Sequence, residues 1–239
     1  MIVTEGTLLG GRLRYRQSAS GHRTGIEPVL LAAAIPARPG ERVIEAGTGA
    51  GAGLLCLGHR VAGLAGVGVE RDPALAGLAA ANFHANGLDG IGAVAADIAR
   101  LPLAVGFHHA FANPPWRDVA DTASPDPGRR LAHRAPAGLL AAWVGALAAV
   151  LRARGSITLI LPASSLSDTY AVLRDAGCGA CRVLPLWPRA GRAAKLVIVQ
   201  ARKGARGPDA LLPGLILHGA TGYTGEAEAI LRDGTALVL

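Results

Sequence analysis

The chain has 239 residues, of which 51% are hydrophobic and only 4% aromatic, and a formal net charge of +7. That is enough apolar sequence to bury a sizeable core, made mostly of Ala, Leu and Val, which excludes a disordered polyelectrolyte. Three cysteines exclude a disulfide-stapled scaffold and suit a reducing, cytoplasmic compartment, and the start of the chain lacks a basic-then-apolar signal pattern.

Taken in chain order, the elements begin with a hairpin expected over Leu8 to Tyr15. In Arg12-Leu-Arg-Tyr-Arg16 the charges alternate at strand period, which puts Arg12, Arg14 and Arg16 on one face. A helix is predicted from Glu27 to Ala34. The run Arg42-Val-Ile-Glu-Ala46 reads as a strand that opens into Gly47-Thr-Gly-Ala-Gly-Ala-Gly53. Gly47, Gly49 and Gly51 let a backbone approach a ligand closely, and Glu45 before them suits a cationic ammonium group. The glycines come near the dinucleotide fingerprint but are not in its usual register. Gly66-Val-Gly-Val-Glu70 predicts a second strand. It ends in a carboxylate 19 residues after Gly51, the distance at which an acid reaches ribose hydroxyls in a βαβ unit.

A helix from Pro73 to Asn86 and a strand from Ile91 to Ala96 follow, the latter ending at Asp97. Any one of these acids could be a helix N-cap. Three successive strands that each end in an acid, Glu45, Glu70 and Asp97, together with the glycines, describe a cofactor cradle better. The strand Phe107-His-His-Ala-Phe-Ala112 leads into Asn113-Pro-Pro-Trp116, and strand alternation makes one of His108 and His109 a packed core residue. Pro114 and Pro115 stiffen that loop. The Asn113 side-chain oxygen and the Pro114 carbonyl are acceptors for both hydrogens of an NH2 group, and Trp116 offers a flat face to a base or amide.

Further helices are expected from Pro136 to Arg152 and from Ser165 to Ala176, with strands starting near Ser156, Arg182 and Lys195. The uncharged run Ala135–Leu151 is 17 residues long, at the lower limit of spanning length, and reads as a buried crossover helix with no membrane role. Cys178-Gly-Ala-Cys181 has redox or zinc spacing, but no second ligand pair completes a metal site, so these read as incidental thiols and no metal is expected. The alternation of strands and helices predicts an α/β fold, a mostly parallel sheet covered by helices on both faces. The short link across Trp187-Pro-Arg-Ala-Gly191 adds one antiparallel strand. With no repeat and no long linker, residues 1–239 read as a single domain, with 1–40 as an N-terminal extension and 207–239 as a C-terminal tail element.

Of 24 basic residues only Lys195 and Lys203 are lysines. Arg129, Arg130, His133 and Arg134 follow the Asn-Pro-Pro-Trp loop, and Arg189 and Arg192 precede Lys195. With the hairpin arginines these clusters favour a polyanion partner.

At this point the chain resembles the class I S-adenosylmethionine-dependent methyltransferases. Glu45-Ala-Gly-Thr-Gly-Ala-Gly51 resembles their first motif, Glu70 their ribose-binding acid, Asp97 the acid near the adenine, and Asn113-Pro-Pro-Trp116 the amino-methylating form of their fourth motif. More narrowly, the whole chain resembles the bacterial enzymes that methylate adenine N6 in valine tRNA. The resemblance extends over Gln17–Leu31, Asp126–Arg134, Leu215–Gly219 and Tyr223–Arg232. It departs at Trp116, where that family usually has Tyr, and in the region of Glu27, where it usually has Asp. The resemblance implies a seven-stranded Rossmann-like methyltransferase sheet. It also implies S-adenosyl-L-methionine as cofactor, with Thr24 and Arg71 joining the cofactor residues above, and a tRNA partner held by Arg12, Arg14, Arg16, Arg129, Arg130 and Arg134. The expected reaction is methylation of an exocyclic amino nitrogen, adenine N6 in tRNA first. The alternatives are a glutamine side-chain amide in a protein, or a non-catalytic cofactor-binding module that binds RNA.

Overall fold

The computed structural model describes residues 1–20, 23–100, 104–115 and 138–239. The chain opens with an antiparallel hairpin, β1 (Val3–Leu8) and β2 (Leu13–Ser18), joined by a 3-10 turn, and continues into α1 (Glu27–Ala34). Then come β3 (Arg42–Ala46), α2 (Ala52–Arg60), β4 (Ala65–Glu70), α3 (Pro73–Ala85) and β5 (Ile91–Ala95). The second half is β6 (Phe107–Ala112), α4 (Leu139–Val150), β7 (Leu151–Pro162), α5 (Leu166–Asp175), β8 (Cys178–Trp187) and β9 (Leu196–Lys203). The tail adds β10 (Ala210–Leu211), β11 (Leu215–Ile216) and α6 (Gly225–Asp233).

Seven strands make the body of the sheet in the order β5-β4-β3-β6-β7-β9-β8, and β9 runs antiparallel to both neighbours. The expected mixed sheet with one antiparallel strand is therefore present. The two short tail strands, which were not expected, pair parallel to the outer edge of β8 and bring the described sheet to nine strands. Two-residue strands carry no periodicity, so no sequence pattern marks them.

Alternation along the strands sends side chains into two cores. Ile198 of β9 joins α1, α2, α3, α6 and the hairpin on one face, while Val197, Val199 and Ala201 join α4 and α5 on the other. Helix α3 starts where it does because the Asp72 carboxylate accepts the N–H groups of Ala74 and Leu75, with Pro73 at the first helical position. The expected helix from Pro136 to Arg152 ends earlier, at Val150, and β7 begins at Leu151. Partners across β6 jump from Phe107↔Leu151 to His109↔Ser156, so residues 152–155 form an excursion that places Arg154 at φ 61. His109 is the packed histidine. Its Nδ1 lies 2.7 Å from Ser156 Oγ and its Nε2 2.9 Å from Glu41, at the amino-terminal end of the sheet. Burial pushes its imidazole below the usual range although Glu41 pulls it up.

The hairpin is fastened to the main body by two asparagines one turn apart, Asn82 in the last turn of α3 and Asn86 at its C-cap. Asn82 Oδ1 accepts the Arg16 N–H at 3.0 Å, and Asn82 Nδ2 donates to the carbonyls of Arg16 and Ala50, both at 2.8 Å. Asn86 repeats the pattern on Arg14, accepting at 2.9 Å and donating at 2.8 Å. Two amides thus supply the free edge of β2 with the partners that a further strand would supply. The far end of the hairpin meets α6, where Arg12 pairs with Asp233 at 2.7 Å and Leu9 packs on Gly234.

Asn82 is 1% exposed, so removing its amide strands buried backbone groups in both the hairpin and the loop at Ala50. Asn82→Ala should cost about 2–4 kcal/mol in urea unfolding, and the more exposed Asn86→Ala about 1 kcal/mol. Amide exchange at Arg14 and Arg16 should accelerate in both variants.

Candidate active site

Strand register assembles the site. Ala46, the last residue of β3, lies level with Val69 of β4 on one side and Ala112 of β6 on the other, and Glu70 pairs with Ala95 of β5. Gly47, Glu70, Asp97 and Asn113 therefore emerge at the carboxyl ends of four adjacent strands. The chain departs from β3 to β4 on one side and returns through β6 on the other. This is the topological switch point at which open α/β sheets bind ligands.

The loop after β3 depends on glycine at alternate positions. Gly47, Gly49 and Gly51 have φ of 66°, 56° and 90°, which only glycine adopts at little cost. Each then has a neighbour that a side chain would strike or a space it would fill. A Cβ at Gly51 would come within 2.7 Å of the Phe83 ring, while one at Gly49 would meet nothing within 4 Å among the described residues. The loop is tied down by bonds from the N–H groups of Gly47 and Thr48 to the Val69 carbonyl, at 2.8 and 3.2 Å.

Glu45 is not in the cleft. Its carboxyl is 3% exposed and lies behind the loop, where it accepts the Thr48 hydroxyl and, at 3.2 Å, the Leu54 N–H near the start of α2. The sequence expectation of a direct ammonium contact gives way to an anchoring position, because the buried carboxyl turns under Gly53 of α2, where no side chain would fit. Burial pushes its carboxyl up to about 8. Glu70 does face the cleft. One oxygen accepts the Gly49 N–H and the other the Asp72 N–H, both at 3.0 Å. A carboxylate has about four lone-pair sites, so both oxygens retain acceptor capacity for hydroxyls. Asp97 is exposed and caps the 3-10 turn after β5 through the Ala99 N–H at 3.0 Å, and Arg71 is exposed beside Glu70.

Asn113 and Pro115 are half-buried and Pro114 is buried, directly after β6. Trp116, Arg129, Arg130 and Arg134 lie outside the described residues. Thr24 is held from both sides, its hydroxyl 2.7 Å from Tyr15 Oη and its N–H donating to Gln17 at 3.0 Å. Tyr15 is buried, which pushes its phenol up to about 12. Of the three hairpin arginines, Arg12 lies in the turn and is engaged by α6, Arg16 is 3.4 Å from Glu5, and Arg14 and Arg16 are both exposed on the strand. Sequence reasoning passed over Thr48, Asn82 and Trp143. Thr48 stands inside the glycine run and could have been flagged there. Asn82 and Trp143 act through tertiary contacts that no local pattern announces.

Among the described residues, no group of three or more His, Cys, Asp or Glu is placed to hold a metal ion, and no helix is long and apolar enough to cross a membrane. Cys178 and Cys181 are free and buried in β8.

No family model and no curated protein sequence matches the chain. Solved structures do resemble it. A predicted O-methyltransferase of Agrobacterium tumefaciens superposes with a TM-score of 0.74 at 22% identity, covering 89% of this chain and 98% of its own. An S-adenosylmethionine-dependent O-methyltransferase of Thermotoga maritima gives 0.57 at 17% identity, over 80% of this chain and 69% of its own. A TehB-like S-adenosylmethionine-dependent methyltransferase of Corynebacterium glutamicum gives 0.54 at 17%, over 77% and 91%. The chain has the Rossmann-like fold of these methyltransferases.

The raised Glu45 carboxyl has a measurable consequence. The folded protein keeps a proton that the unfolded chain releases above about 4.5, so this group's contribution to stability falls as pH rises from about 4.5 to about 8 and is level beyond. Glu45→Gln keeps the shape and cannot ionise. Between pH 5 and pH 8 the wild type should lose about 2–4 kcal/mol of unfolding free energy relative to this variant, measured by urea titration. A parallel pH dependence in the two proteins would show that Glu45 is ionised in the folded state.

Proposed function

We propose that this chain transfers a methyl group from S-adenosylmethionine to an exocyclic amino nitrogen, and that the amine is N6 of an adenine in tRNA. The observation that carries the reading is the register that brings the glycine loop, Glu70, Asp97 and Asn113 to one end of adjacent strands. The cradle fits the cofactor. Among the described residues nothing fills the space above the left-handed Gly49, and Glu70 has acceptor capacity for a ribose diol beside it. Asp97 stands one strand further out, where an adenine would extend.

S-adenosylmethionine supplies an electrophilic methyl group. The chain's own residues deal with the nucleophile. Adenine N6 is a poor one because its lone pair is delocalised into the ring. With one N–H donated to Asn113 Oδ1 and the other to the Pro114 carbonyl, the nitrogen is held with its lone pair toward the methyl donor. The same two acceptors relieve the positive charge that develops during transfer. The two prolines keep those acceptors in place without reorganisation. The surplus proton leaves from nitrogen to solvent. A base in a folded RNA has to leave its stack to reach such a loop.

The RNA partner is supported by cations at the same end of the sheet. Arg71 follows β4, and Arg189, Arg192 and Lys195 lie in the β8–β9 turn, all exposed. Because β8 runs parallel to β3 and β6, that turn is on the Asn113 side. Exposed arginines there suit phosphates, whose neutralisation makes binding salt-dependent.

Glu70→Ala should weaken S-adenosylhomocysteine binding by about 1–3 kcal/mol in calorimetry, through hydrogen bonds lost from an ionised acceptor. Preference for a nicotinamide cofactor would end the methyltransferase reading. Asn113→Ala should lower single-turnover transfer of labelled methyl to unmodified tRNA about a hundredfold or more, with S-adenosylmethionine affinity retained. Full activity in that variant would move the reactive site elsewhere, and transfer to a glutamine peptide but not to RNA would replace the RNA partner with a protein.

A further inference from the structure

Helix α4 is built almost wholly from Ala, Leu, Val and Gly, and Trp143 is its single aromatic residue. Its position is unusual for a core residue. Val144, Leu147 and Ala148 fill the core between α4 and the sheet, whereas Trp143 packs on that core and stays half-exposed. The six-membered ring reaches the glycine loop. A Cβ at Gly47 would lie 2.5 Å from Trp143 Cη2 and 3.0 Å from Cζ3, so the ring rests against the Gly47 α-carbon. Two independent constraints therefore require glycine at position 47, its φ of 66° and the indole beside it.

Gly47 follows Ala46, and Ala46 is level with Ala112, the residue before Asn113. Neighbouring strands are about 4.8 Å apart. The indole thus touches the glycine loop at Gly47, one strand spacing across the gap from the loop that begins at Asn113. On the methyltransferase reading above, on which this inference rests, that gap holds the charged end of the cofactor. An indole attracts a cation through the quadrupole of its ring, and a neutral thioether gains little from it.

We propose that Trp143 is a binding residue for the sulfonium end of the cofactor and sets the preference for the charged methyl donor over its neutral product. The indole stabilises the donor before transfer and loses that attraction once the charge is gone, which favours exchange of product for fresh donor. Gly47 is the residue that lets it approach.

The test compares two ligands that differ in that charge. Calorimetry on the full chain would give dissociation constants for S-adenosylmethionine and S-adenosylhomocysteine in wild type, Trp143→Phe and Trp143→Leu. The Leu variant should lose about tenfold in affinity for S-adenosylmethionine and less than about threefold for S-adenosylhomocysteine, and Phe should retain an intermediate preference. Equal losses for both ligands would show that Trp143 only supports the glycine loop and would overturn the proposal, as would no change. Trp143→Phe keeps an aromatic ring in the same cavity, so the comparison survives even if the Leu variant does not fold. Wild-type protein that binds neither ligand would end the methyltransferase reading itself, an outcome separate from equal losses in the variants.

Discussion

Ala46 pairs with Val69 on one side and Ala112 on the other, and this parallel register of β3 between β4 and β6 is the constraint on which the site depends. Parallel strands have all their carboxyl ends on one side, so whatever follows them meets there. Three stretches far apart in sequence, after Ala46, Val69 and Ala112, become neighbours separated by one strand spacing. A slip of one residue in either pairing would turn Glu70 or the start of the Asn113 loop away from the glycines and expose a core face.

The buried polar groups lock that arrangement. Glu45 holds Thr48 and the start of α2 from behind the loop, and Asn82 holds Ala50 from the side. The same Asn82 holds Arg16 of the hairpin, and Tyr15 and Gln17 of the hairpin hold Thr24. The glycine loop, the hairpin and the segment before α1 are therefore one hydrogen-bonded assembly. Asn82 spends its oxygen and both amide hydrogens in this arrangement, since an unpaired polar atom in that interior would cost more than the bond contributes.

The two ends of the sheet are divided in role. The amino-terminal end carries a closed network of His109, Ser156, Glu41 and Arg152, in which burial pushes the Glu41 carboxyl up but bonds from His109 and the Arg38 N–H outweigh it and hold it below the usual range. His109 spends both ring nitrogens on Ser156 and Glu41, and the exposed Arg152 adds only an ion pair at 3.8 Å. At the carboxyl-terminal end, Glu70 and Asp97 remain accessible, and nothing among the described residues lies within 4 Å of a Cβ at Gly49. The hydrogen-bonded network and the accessible acids thereby stand about one strand length apart.

Much of this was legible in the chain itself. Glycines at 47, 49 and 51 announce a backbone that must turn left-handed, because no other residue does so cheaply. The apolar runs that end at Glu45, Glu70 and Asp97 announce parallel strands, and the helix from Glu27 to Ala34 follows from its composition alone. Residue order could not say which way a side chain faces once the strands pair. Glu45 reads as a cleft acid in the sequence and is a buried anchor in the fold, because its carboxyl packs under Gly53. Arg12 reads as one of a stripe and is claimed by Asp233, more than 200 residues away. The amide ladder of Asn82 and Asn86, the tail strands on β8 and the indole of Trp143 on Gly47 are contacts between segments that carry no mutual signal in sequence. Local conformation and burial pattern are written residue by residue, whereas which surfaces meet depends on long-range packing free energy, and only the folded chain settles that.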